Sequence, residues 1–147
     1  MNADKSNGKK RNNHSVGNAG LFYCCYELAR HGWNVLPTSR NAKGVDVVIY
    51  SADATKVEMI QVKTISNRSP VPLGENPTYG MSKFVMVCQL GQNSELPRIF
   101  IMTPQEIDEV RHQGDPKKSE AGKVSFWLQQ KQYEPNLNRW DLIGRGD

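Results

Sequence analysis

Apolar positions recur at helical spacing between residues 18 and 31, where Leu21, Cys24, Cys25 and Leu28 form one stripe. Asn18 stands where an N-cap would and Gly32 where a helix stops, so the pattern predicts a helix over 18–31. The period then shortens. Runs rich in β-branched and aromatic residues predict strands over 33–37, 45–50 and 57–64, the last two joined across 51–55 as a hairpin. Residues 67–80 hold Pro70, Pro72, Pro77, Gly74 and Gly80 and read as a long loop. Two further strands follow over 84–90 and 98–102. Thr103, Pro104 and Glu106 then set out a capping box with proline at the first helical position. A charged loop over 115–123, a short strand over 124–128 and a final turn or short helix within 133–142 complete the chain, with Trp140 and Leu142 packing back. The order predicts an α/β fold: a small mixed sheet of about five strands flanked by helices.

Composition adds limits. A chain of 147 residues is one domain's worth and can bury a core without disulfide or metal staples. Residues 1–15 are polar, with Lys9, Lys10, Arg11 and His14, and read as a mobile arm ahead of a single domain over 16–147. The net charge of +4 is compatible with a nucleic-acid partner but does not argue for one alone. Cys24, Cys25 and Cys88 lack metal-ligand spacing and leave an odd count, which points to reduced thiols in a cytoplasmic protein. No apolar run approaches the 18 residues of a membrane span. His14, His31 and His112 show no zinc spacing, and no glycine-rich phosphate loop is present.

The residues with chemistry lie on the hairpin. Asp46 sits among valines at the mouth of the second strand, where a carboxylate is costly unless paired, hydrated or metal-bound. On the third strand, alternation puts Met59, Gln61 and Lys63 on one face and Glu58, Ile60 and Val62 on the other. Gln61 and Lys63 then lie about 7 Å apart and point the same way. A closed hairpin would bring Asp46 near both. An aspartate, an amide oxygen and a backbone carbonyl from Val62 suit a hard divalent ion such as Mg²⁺. Lys63 would orient water or stabilise charge on phosphate oxygens. Glu27 shares a helix flank with Tyr23 and His31 at i,i+4 spacing. If that flank faces the sheet end, Glu27 supplies another oxygen ligand.

The stretch GVDVVIYSADATKVEMIQVK, residues 44–63, resembles the core of the PD-(D/E)xK nuclease superfamily, in a QxK form similar to Mrr-type and Holliday-junction-resolvase-like members. Upstream, GNAGLFYCCYELARHGWNV resembles the helix bearing the family's accessory glutamate. The resemblance spans roughly residues 17–102. It implies a restriction-endonuclease-like fold with Glu27 as the helical acid, Asp46 as the metal-binding aspartate, Gln61 as the second ligand and Lys63 as the catalytic lysine. It also implies a Mg²⁺-dependent endonuclease of DNA, with Mn²⁺ as a substitute and RNA as another substrate class. The alternative is a catalytically inactive module that binds nucleic acid or protein. Val45 stands where the family has proline. Gln61 stands where it has an acid, which removes one negative charge from the metal site. Arg40, Lys43, Arg68 and Lys83 are candidates for phosphate contacts. A homodimer would set two sites against two strands.

Overall fold

The computed structural model describes residues 12–39, 43–67 and 69–147. Helix α1 spans Asn13–Arg30 and begins five residues before the expected start, because Asn12 rather than Asn18 is the cap. The Asn12 side chain accepts the His14 N–H at 3.1 Å. The buried row of α1 is Val16, Gly20, Cys24 and Leu28, at strict i,i+4 spacing. Two of the four carry little or no apolar side chain, so the first turns leave no hydrophobic signature. Residues 13–15 of the expected arm are therefore helical, and residues 1–11 lie outside the described part.

Strands β1 (Asn34–Pro37), β2 (Val47–Tyr50), β3 (Val57–Ile65), β5 (Phe84–Gln89) and β6 (Arg98–Met102) form one sheet in the order β1-β2-β3-β5-β6. The β3–β5 pair is parallel and the other three are antiparallel. The hairpin forms as expected, with Val47 opposite Ile60 and Tyr50 opposite Val57. Its turn is held by Asp53, whose carboxylate accepts the Ser51 hydroxyl at 2.7 Å and both the N–H and hydroxyl of Thr55. Those bonds hold the Asp53 pKa down to about 2.

Strand β5 is buried along its whole length, because both sheet faces are covered. On one face Cys24 and Leu28 of α1 pack over Val47, Ile49, Ile60, Met86 and Ile101. On the other, Val85, Val87, Phe100 and Met102 meet Val71, Ile107, Leu128 and Tyr133. This second layer contains β4 (Val71–Gly74), which the sequence reading assigned to loop. Its burial alternates in and out, and Pro72 is tolerated because β4 is an edge of the small sheet β4-β8-β7. Strands β7 (His112–Gln113) and β8 (Phe126–Leu128) complete that sheet. Helix α2 (Pro104–Val110) carries the full capping box at Thr103 and Glu106.

The expected final turn is three short pieces: α3 (Gln130–Tyr133), a 3-10 turn (Glu134–Asn136) and α4 (Trp140–Ile143). Trp140 stacks on His31 with centroids 4.0 Å apart, which ties the tail to the C-terminal end of α1. Among the described residues, no helix is long and apolar enough to cross a membrane.

Candidate functional site

Asp46 occupies the bend just before β2. Its backbone is held on both sides: its N–H donates to the Ile60 carbonyl at 2.9 Å, and its own carbonyl accepts the Thr38 N–H at 2.9 Å. Paired β2 starts only at Val47, opposite Ile60, while β3 runs on to Ile65. The Asp46 carboxylate fills part of the gap, since its Oδ2 accepts the Val62 N–H at 2.7 Å. One carboxylate oxygen thus closes the ladder, and among the described residues no hydrogen bond engages the other.

The loop before Asp46 is fixed from behind. Gly44 and Gly80 both have positive φ, +70° and +56°, and a Cβ on either would run into the backbone of the opposite loop. The Ser82 hydroxyl donates to the Gly44 carbonyl across the same contact. Asp46 therefore stands on a braced turn.

Beside it a cleft of about 390 Å³ opens between the edge of β3 and the first turns of α1. Asp46, Val62, Lys63 and Thr64 form one wall. Asn13, Gly17, Asn18 and Leu21 come from the helix. Lys63 is half-buried; burial pushes its pKa below the usual lysine range, and the Asp46 charge pulls it partly back. Lys63 therefore senses the Asp46 charge.

Gln61 is next to Val85 in the β3–β5 register, on the sheet face away from α1. It does not line the cleft. Its Oε1 is buried with no hydrogen-bond partner among the described residues. Such an orphaned acceptor is costly unless another group reaches it.

The geometry does not bring Glu27 to this cluster. It lies six residues beyond Leu21, about 9 Å farther along the helix axis. Its carboxylate pairs with Arg30 at 3.3 Å and lies close enough to Tyr23 to add, after burial, to the rise in that phenol's pKa. The helix residues that do face the cleft are neutral or, at His14, imidazole. The sequence reading missed Asn13 and Asn18 as cleft residues. The i,i+4 row Asn13, Gly17, Leu21 was available as a signal, but only with the helix start placed at Asn12.

Of the basic candidates, Lys43 is exposed just ahead of Gly44. Lys83 is engaged by Glu58 at 3.1 Å and hydrogen-bonds through its N–H to Met59, four residues before Lys63 on β3. Arg40 and Arg68 lie outside the described residues.

Among the described residues no three of His, Cys, Asp or Glu come together to hold a metal. The donors at the cleft itself are Asp46 and neutral oxygens of its wall, and the Gln61 amide lies outside that lining. That set fits a hard cation that keeps most of its water, at lower charge than a two-carboxylate site.

No protein-family profile matches the chain, and no curated protein matches its sequence. A solved structure does. Hjc, a Holliday junction resolvase from the archaeal hyperthermophile Archaeoglobus fulgidus, aligns over 84% of this chain and 99% of its own, with a TM-score of 0.53 and 14% identity. At that identity the likeness is one of fold: a five-stranded mixed sheet flanked by helices, of the restriction-endonuclease-like type.

Proposed function

We propose that this protein is a metal-dependent nuclease that hydrolyses phosphodiester bonds of DNA at the Asp46–Lys63 cleft. The observation that carries the reading is the meeting of Asp46 and Lys63 at one cleft, on adjacent elements of a fold shared with Hjc, a Holliday junction resolvase. In this reading Asp46 and the Val62 carbonyl would hold Mg²⁺ at the cleft, with Mn²⁺ as a substitute, and the Gln61 amide oxygen would join them by turning toward it. The bound ion would polarise the scissile phosphate and acidify an attacking water.

The chain's own groups do the rest. Lys63 would bring a half-buried cation, near enough to Asp46 to feel its charge, against the phosphate oxygens. Asn13 and Asn18 offer amide hydrogen bonds to the sugar-phosphate backbone from the helix side. Lys43 adds charge at the mouth of the braced turn. Glu27 stays outside the mechanism and anchors Tyr23 and Arg30 instead.

One observation favours a second reading, a nucleic-acid-binding module without hydrolysis. Among the described residues lining the cleft, Asp46 is the lone carboxylate. The test is a panel of single-stranded, duplex and four-way-branched DNA and of RNA, incubated with Mg²⁺, Mn²⁺ or EDTA. The nuclease reading expects cleavage of at least one DNA with metal and none with EDTA. DNA binding without cleavage in either metal would instead establish the second reading. Two copies acting together, each cutting one strand, fit the nuclease reading.

A further inference from the structure

A second, larger cavity of about 550 Å³ lies at the carboxyl ends of the parallel strands β3 and β5. Crevices at such strand ends are where ligands of open α/β sheets usually sit. The wall combines the turn after β3, the turn after β5 and the segment leading into β6. Asn67 on this wall follows Lys63 by four residues, at most about 14 Å of extended chain. The cavity and the cleft are thus within a few nucleotides of each other.

Among the described residues its lining offers mainly neutral hydrogen-bonding groups. Asn67 and Gln92 are exposed amide residues of the lining, joined there by Ser69. Gln89 forms the floor; it is only 5% exposed and its Oε1 accepts from Arg98 at 3.3 Å. Arg98 gives this wall little free charge, because it is paired with Glu134. Glu95 sits on the rim with a carboxylate that would repel an anion. Leu96 overhangs the opening at 78% exposed and offers an apolar surface beside the amides.

Among the described residues this wall offers a phosphate no unpaired cation. A flat heterocycle with donors and acceptors on its edge is well suited: side-chain amides match base edges bidentately, and the aliphatic surface covers a ring face. In a duplex the pairing edge is already used, so the base must be out of the stack. We propose that this cavity holds the base of an unpaired nucleotide close to the bond at the Asp46–Lys63 cleft. The location relative to the cut rests on the nuclease reading; the base pocket itself does not.

The test measures binding by fluorescence anisotropy in EDTA, so that no strand is cut. Two single-stranded probes of equal length are compared, one with bases and one fully abasic. The full chain should bind the base-bearing probe at least tenfold more tightly. The double variant Asn67→Ala, Gln92→Ala should lose about tenfold on that probe and stay within twofold on the abasic one. Both positions are exposed, and an unchanged urea midpoint would show that the fold is intact. Equal binding of the two probes by the wild type, or no binding of either, overturns the proposal. So does a double variant that keeps the preference or weakens on both probes alike. Hydrolysis by a wild type that ignores bases would sink the pocket and leave the nuclease. A tenfold base preference without hydrolysis in Mg²⁺ or Mn²⁺ would keep the pocket and sink the nuclease.

Discussion

Asp46 divides its two oxygens between structure and chemistry. Oδ2 receives the Val62 N–H just before β2 begins, and the residue also lines a cleft that Lys63 shares. The consequence for Lys63 is testable. Burial lowers its pKa and the Asp46 charge opposes that fall, so Asp46→Asn should lower the Lys63 pKa further, as read by NMR titration of the side chain. The stability sign follows from the same shift. A lysine with a depressed folded-state pKa binds fewer protons folded than unfolded near that pKa. Its cost is fully present below the folded pKa and vanishes as pH rises through the unfolded value of about 10.4. Stability should therefore rise with pH across that alkaline window in the wild type relative to Lys63→Met, measured as urea midpoints. A parallel pair of profiles would contradict the shift. At this scale the sequence was informative. Alternation alone separates Gln61 and Lys63 from Glu58 and Val62, and the hairpin sets Asp46 beside them. It could not reveal that Gln61 turns its amide oxygen into a buried, partnerless position, because that depends on Val85 and the second layer beyond the strand.

The element that positions the cleft is α1, and its seat on β3 is set by a glycine. A Cβ on Gly20 would fall inside the Thr64 side chain. Gly20→Ala should raise helix propensity yet destabilise the fold by about 1–3 kcal/mol through overpacking. Adding Thr64→Ala should recover part of that loss. Chemical denaturation of the two single variants and the double variant checks both expectations. Gly20→Ala that stabilises the protein would show that α1 sits elsewhere. The same glycine explains why the helix was only half legible. A hydrophobic pattern registers Leu21, Cys24 and Leu28, but it is blind to Gly20, which is the point of closest approach to β3. With the start placed at Asn18, Glu27 falls in the middle of the expected helix and looks central. With the start at Asn13, it lies beyond the cleft. Strand β4 was hidden for a different reason. Its Pro72 and Gly74 carry loop chemistry, and only its position at a sheet edge lets Val71 and Leu73 pair and pack.

At the scale of the whole molecule, two apolar layers clamp one sheet, with β5 buried between them. That shared strand should make the described part unfold as one unit. Far-ultraviolet circular dichroism and tryptophan fluorescence are expected to report coincident urea transitions. Two separated transitions would mean that the β4-β8-β7 layer folds on its own. A mixed sheet of about five strands and its β2–β3 hairpin were readable from the succession of elements, whereas the strand order and the parallel β3–β5 pair emerge only in the structure. The second layer was not readable either, since it is assembled from strands of two to four residues that carry too short a pattern to recognise.

The central claim is that hydrolysis is centred on Asp46 and Lys63 and not on Glu27. It is tested most directly by single-turnover cleavage of the best-cut DNA in Mg²⁺, comparing the wild type with Asp46→Asn, Lys63→Met and Glu27→Gln. The first two substitutions should each lower the rate on the order of 10²-fold or more, and Glu27→Gln should stay within a factor of a few. Retained cleavage in Asp46→Asn or Lys63→Met, or its loss in a folded Glu27→Gln protein, would contradict the claim.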